Sequence, residues 1–298
     1  MESIFKSLQN SGRCFLDEPL FKHCSIGIGG PAKIFVLPKT LEELVEIVGY
    51  CKDNGLKLFV AGNFTNLVFD DAGFDGVVVS TKAMDESVNV FNNTITCGSG
   101  TKLSQLASFA AQNGLSGLEW ACGIPGTVGG AVVQNAGAFE KCMADVLCKV
   151  LVYENRKLIS LSCDDCKFGY RSSIFKSNKE MLVLDACFKL IPRPKELIDD
   201  VSATLVKKRI LLQPKGRSAG SVFKNPKGAA AGFLLERAGL KGFSVGGARF
   251  SDKHANFIIN DGGATFLNVV SLIDEAKEKV YTKFGILLEE EIEIVRKD

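Results

Sequence analysis

Two glycine-rich stretches hold the residues best suited to chemistry. The run GIPGTVGGAVVQNAGA, residues 123–138, places glycine and alanine where bulkier side chains would normally stand. Backbone bared in this way approaches a ligand closely, and its N–H groups can converge on phosphate oxygens. No lysine follows in Walker A spacing and no G-x-G-x-x-G opens a helix here, so this is neither a P-loop nor a Rossmann turn. A tight-turned connection between strands is the alternative reading. The second stretch, AGNFTNLVF at 61–69, sets Asn63, Thr65 and Asn66 beside Gly62. Short polar groups of this kind hydrogen-bond a diphosphate without adding charge. An Asx or ST turn that caps a strand is the alternative.

Cysteine and histidine offer less. Cys163 and Cys166 make one CxxC among ten cysteines, with neither a second pair nor clustered histidines. His23 and His254 are the only histidines and lie far apart, so no metal is expected.

These residues need elements to position them. Thr40 followed by Glu43 is a capping box, and Leu41, Leu44, Val45 and Val48 continue with helical spacing to a stop at Gly55. Residues 57–60 and 77–79 read as short buried strands. A second helix is expected from Thr101 through Leu103, Leu106, Ala107 and Ala110, ending at Gly114. Strands follow between 145 and 190, notably 150–153 and 181–190, and Pro192 and Pro194 break them. Helices are expected near 195–209, 229–238 and 268–284, and a final strand at 286–295. Helices and strands that do not strictly alternate indicate α+β.

A chain of 298 residues suggests two or three domains and is long enough to bury a core without disulfides. A formal charge of +2 gives no basic field for nucleic acid. No apolar stretch reaches the roughly 18 residues of a membrane span. The first residues lack the basic and apolar regions of a secretory signal, so a cytoplasmic protein with reduced thiols is expected.

Seven segments together resemble the UDP-N-acetylenolpyruvoylglucosamine reductase family. IGIGGPA at 26–32 is similar to its opening motif, and the stretches at 61–69 and 123–138 to its two FAD loops. GYRSSIFK at 169–176, SAGSVFKNP at 218–226, SDKHANFIIN at 251–260 and LLEEEIEIV at 287–295 follow in the family's order over nearly the whole chain. The resemblance implies a two-part FAD-binding region of the vanillyl-alcohol oxidase type, residues 1–80 and 81–208, and a C-terminal α/β substrate-binding domain, 209–298. The strand within 286–298 is allowed to rejoin the first part.

It also implies the reaction. NADPH gives a hydride to noncovalently held FAD, and UDP-N-acetylglucosamine enolpyruvate then takes it at the terminal carbon of its double bond. UDP-N-acetylmuramate, a peptidoglycan precursor, results. By this resemblance FAD is held by Ala61, Gly62, Asn63, Phe64, Thr65 and Asn66 of the first loop. The second loop contributes Gly123, Ile124, Thr127, Gly129, Gly130, Asn135, Ala136 and Gly137. Arg171 would face the substrate carboxylate, where the planar fork of a guanidinium suits developing negative charge. Ser221 would donate the proton to the neighbouring carbon, and Glu291 is the matched glutamate of the last strand. Glu289 and Glu291 would share a strand face. Tyr170, Lys224, Asn225, His254 and Asn256 are the expected substrate-side contacts, although His254 also reads as structural. A monomer is expected.

The chain departs from the family pattern in places. His23–Cys24 stands for Asn-Thr, Phe64–Thr65 for Gly-Ser, Val133–Gln134 for a larger residue and Met, and Glu293 for an arginine. No insertion bearing a substrate-closing tyrosine lies between Arg171 and Ser221, which matches the family's shorter subtype. A related flavin oxidase and a flavin-binding protein without turnover are the competing readings.

Overall fold

The structure, a computed structural model, describes residues 3–84 and 87–297. Its helices are α1 (Ser3–Asn10), α2 (Leu41–Asp53), α3 (Leu103–Gln112), α4 (Val128–Gln134), α5 (Ile174–Ser177), α6 (Lys195–Leu212), α7 (Ala231–Arg237) and α8 (Phe266–Phe284). With the strands between them they give the α+β content the sequence indicates. The chain divides into two compact units, each discontinuous in sequence. The first is Met1–Phe15, Ile34–Asn63 and Gly76–Arg209; the second is Leu16–Lys33, Phe64–Asp75 and Ile210–Asp298.

In the first unit an antiparallel five-stranded sheet runs in the order Lys157–Ser162, Leu147–Glu154, Leu182–Lys189, Thr94–Gly98, Val88–Phe91. It is apolar on the side that meets α3 and α4, where Leu106, Trp120, Val132 and Phe188 are buried together. Burying such side chains contributes about 1.5–3 kcal/mol each before the entropy of ordering them is counted. A second core joins Ile4, Phe5 and Leu8 of α1 to Leu44 and Ile47 of α2. Thr40 is the N-cap of α2 as the sequence indicates, its Oγ1 accepting from Glu43 N at 3.2 Å, while the Glu43 carboxylate accepts from Lys39 N at 2.7 Å. The Glu43 carboxylate takes Arg13 in a two-pronged ion pair at 2.6 and 2.8 Å, which holds it below the usual carboxylate range. The helix expected from Thr101 begins at Leu103 instead, and Lys102 at its cap makes no side-chain capping bond.

In the second unit α8 packs Val269, Leu272, Ile273, Ala276 and Val280 into the core. A three-stranded antiparallel sheet, Ser244–Val245, Ala248–Phe250 and Ile258–Asn260, lies with it. Thr265 caps α8 by accepting from Asn268 N, and Gly285 ends it in the left-handed conformation. The final strand is shorter than the sequence indicates. Only Glu293–Val295 is regular, and it runs parallel to Leu67–Phe69.

Candidate active site

The start of the 61–69 stretch meets the 123–138 stretch inside the first unit. The strand Leu58–Ala61 pairs in parallel with residues 77–80 and delivers Gly62 against Thr127. A Cβ at Gly62 would lie 2.1 Å from Thr127 Oγ1, so only glycine allows this approach. Ser80 Oγ donates to Gly62 O at 2.9 Å and fixes the strand end. The run at 123–138 is not a plain turn. It contains α4, whose cap Thr127 accepts from Gly130 N at 3.3 Å. Val128 N and Gly129 N donate to Thr101 O and Ser99 O at 2.8 and 2.9 Å. A Cβ at Gly129 would come within 2.8 Å of Ser99 Cβ, so this glycine too is fixed by close backbone contact. Asn63, Gly123 and Gly130 are exposed, and Ile124 and Ala136 half-buried.

Sequence reading missed three side chains here. Ser99 Oγ and Thr101 Oγ1 are buried with no hydrogen-bond partner among the described residues, although Thr101 faces the Cys97 thiol. Arg209, near the end of α6, lays its Cδ 3.5 Å from where a Gly123 Cβ would be. Its Nη2 donates to Trp120 O at 3.3 Å, its guanidinium sits 5.6 Å from the Phe139 ring, and its Nε is buried with no partner among the described residues. Burial pushes this guanidinium below the ordinary arginine value, yet arginine stays charged at neutral pH. A half-buried cation without a full set of acceptors calls for an anion. Two buried hydroxyls, bare backbone and this arginine fit a ligand rich in phosphate oxygens. An arginine in a mixed helix carries no sequence pattern that sets it apart from a surface charge.

Arg171 stands on a two-residue turn. Gly169 and Ser172 exchange backbone hydrogen bonds at 3.0 and 3.2 Å, and Arg171 takes φ +53. Its Nη2 donates to Gly137 O at 2.7 Å, and its guanidinium sits 5.2 Å from the exposed Tyr170 ring. Asn135, buried and left-handed at φ 44, donates from Nδ2 to Gly169 O at 2.8 Å and accepts from Ala144 N at 3.1 Å. Asn135 and Gly137, expected at the cofactor, are thus engaged with the arginine turn.

The second unit holds Ser221 and Glu291 on neighbouring segments. Ser221 forms a bridge with Phe257, and Val222 N donates to Asn256 O at 2.8 Å. On the other side Glu291 N donates to Val222 O at 2.8 Å, one residue from Ser221. Among the described residues the half-buried Ser221 hydroxyl has no hydrogen-bond partner. Asn66 ties down the glutamate segment, with Nδ2 donating to Glu291 O at 3.1 Å and O accepting from Glu293 N at 2.9 Å. The three glutamates do not alternate on a strand. Glu289 pairs with Lys224, and Glu290 pairs with Lys277 at 2.6 Å.

Other expected contacts act within the protein. Both ends of the Asn256 amide grip the backbone of Phe223, at 2.9 and 2.8 Å, so it shapes the segment beyond Ser221. Asn225 Oδ1 accepts from Ala231 N at 2.9 Å at the start of α7. His254 Nδ1 accepts from Asn256 N at 3.2 Å, and its ring lies against Gly232 and edge-on to Phe257. Burial lowers its pKa and favours the neutral ring with the proton on Nε2. Phe64, at φ +53, is buried beside the rings of Phe69 and His23 and serves the core. Thr65 is half-buried in the same unit. The CxxC is a turn in which Cys166 N donates to Cys163 O, and burial pushes the Cys166 thiol up to about 12. No cluster of metal-ligating side chains occurs among the described residues.

Two family profiles match the chain. One, described as the C-terminal domain of UDP-N-acetylenolpyruvoylglucosamine reductase, covers residues 213–295, and an FAD binding domain covers 32–155. The UDP-N-acetylenolpyruvoylglucosamine reductase of Caldanaerobacter subterraneus is 42% identical over 292 residues, 97% of this chain and 96% of that protein. The chain belongs to the UDP-N-acetylenolpyruvoylglucosamine reductase family. The Listeria innocua reductase is 42% identical over 288 residues, 95% of each chain. A solved reductase structure from Thermus caldophilus is 35% identical and superposes with a TM-score of 0.80 over 95% of this chain and 98% of that one. As a member of this reductase family with an FAD-binding domain, the chain is an FAD-dependent oxidoreductase.

Proposed function

We propose that the chain reduces UDP-N-acetylglucosamine enolpyruvate to UDP-N-acetylmuramate with NADPH as the hydride donor, and that Arg171, Ser221 and Glu291 do the work on the substrate. Likeness to reductases over nearly the whole chain, together with the FAD-binding domain match, carries this reading. Bound FAD supplies the hydride relay between NADPH and the substrate. Residues of 1–80 and 81–208 would hold the cofactor and those of 209–298 the sugar nucleotide. Arg209 offers positive charge beside the second loop.

Hydride arriving at the terminal carbon of the enolpyruvyl group pushes an electron pair toward the carboxylate. The Arg171 guanidinium stabilises that charge where it develops, which lowers the barrier rather than merely tightening binding. The adjacent carbon then needs a proton from a positioned acid. Ser221, whose hydroxyl has no hydrogen-bond partner among the described residues, donates it. A serine hydroxyl suffices because an enolate carbon is a strong base. Glu291, whose backbone is anchored one residue from Ser221 through Val222, orients the serine. A solvent proton restores the Ser221 hydroxyl, NADPH leaves as NADP⁺ and the product as a lactyl ether, so electrons and protons balance. The reaction belongs to the cytoplasmic stage of wall precursor synthesis, where growth and division consume the product, and a monomer suffices for it.

Ser221→Ala tests the assignment. Bleaching of bound FAD by NADPH is expected to stay near normal, while sugar reduction falls by about 10²–10⁴-fold, the usual contribution of a general acid. Unimpaired sugar turnover would remove Ser221 from this role.

A further inference from the structure

We propose that Asn135 is a positioning residue for Arg171, holding the turn that presents its guanidinium to the substrate carboxylate. The inference rests on the reading of Arg171 given above.

Two features of the turn call for an external hold. Arg171 occupies the left-handed region at φ +53, where a non-glycine residue costs on the order of 1–3 kcal/mol. The turn is also only two residues long, closed by the Gly169 and Ser172 hydrogen bonds. Asn135 provides the hold. Its Nδ2 donates to Gly169 O at 2.8 Å, and its Oδ1 accepts from Ala144 N at 3.1 Å. A carbonyl on one side and an N–H on the other allow only one orientation of the amide. Its own φ of 44 lies in the left-handed region, which asparagine tolerates better than most residues. The position therefore asks for asparagine twice, once for its backbone and once for its amide.

Neighbouring contacts tie the same pieces together. Ser173 Oγ donates to Val133 O at 2.6 Å, and Arg171 Nη2 to Gly137 O at 2.7 Å. The C-terminal end of α4 and the residues after it thus form the seat of the turn. The arginine plane is fixed at one edge, as directed recognition of a carboxylate requires. Asn135 is 5% exposed with both ends of its amide engaged inside the protein, which favours this role over cofactor contact.

Asn135→Asp and Asn135→Gly separate the possibilities. Both tolerate the left-handed backbone; the first removes the donor and the second the whole amide. FAD affinity, read from flavin fluorescence, and the anaerobic rate of bleaching by NADPH are expected within about twofold of the parent. Reoxidation of the reduced flavin by the enolpyruvyl sugar nucleotide is expected to slow by about 10–100-fold, the scale of a misplaced catalytic group. Arg171→Ala is the reference, and the double variant with Asn135→Asp should be no slower than Arg171→Ala alone, because the amide acts through the arginine. An additive double variant, unchanged reoxidation in both single variants, or loss of FAD affinity matching the loss of rate would overturn the inference. If Arg171→Ala itself leaves reoxidation unchanged, the reading of Arg171 fails instead.

Discussion

A half-buried guanidinium is a demand for charge. Arg209 donates to Trp120 O and lies over Phe139, while its Nε is buried without an acceptor among the described residues. Such a nitrogen left unpaired in the ligand-free chain costs on the order of 1–3 kcal/mol, and a bound phosphate oxygen would recover it. Arg209→Ala is therefore expected to lower FAD retention through purification and dialysis, measured as the flavin-to-protein absorbance ratio, while the empty chain keeps its thermal midpoint or gains slightly. Full FAD retention would exclude Arg209 from the cofactor's site. Polar side chains nearer the second unit's candidates show the opposite arrangement. The Asn256 and Asn225 amides meet backbone groups, so their loss would disturb the segments they hold.

At the scale of elements, close backbone approach builds the wall near Gly62 and α4. Gly62→Ala would put a methyl group 2.1 Å from Thr127 Oγ1, the hydroxyl that caps α4. Relief by local movement is expected to cost about 1–3 kcal/mol, the usual range for overpacking, and to show as a lower thermal midpoint with weaker FAD binding. An unchanged midpoint would mean that the two stretches do not need this contact. Much of this layer was legible in advance. Thr40 announces α2, and the apolar spacing of 103–110 announces α3. Other features were not. A helix built on GTVGGAVV has glycine at two of its first three positions, and propensity argues against it; Thr127 and its neighbours on 99–101 hold it instead. Left-handed backbone at Phe64 and Arg171 has no local signature, because glycine is the residue that normally marks it. Three consecutive glutamates suggested an alternating strand, but their lysines lie far away in sequence: Lys224 meets Glu289, and Lys277 meets Glu290.

At the scale of the whole molecule, the residues proposed to act on the substrate come from both units of the chain. Arg171 belongs to the first, Ser221 and Glu291 to the second, and the second unit gathers its segments from three separate stretches of the chain. Composition and periodicity cannot foresee such a division. The order of motifs along the sequence indicated the family, and that family is established by likeness over nearly the full length. The most direct test of the proposed reaction is an anaerobic titration of the FAD-loaded protein followed by its visible spectrum. NADPH is expected to bleach the flavin, and a stoichiometric addition of UDP-N-acetylglucosamine enolpyruvate to restore its colour with formation of UDP-N-acetylmuramate. A fully loaded flavin that NADPH leaves oxidised, or one that the sugar nucleotide cannot reoxidise while oxygen does so rapidly, would contradict it.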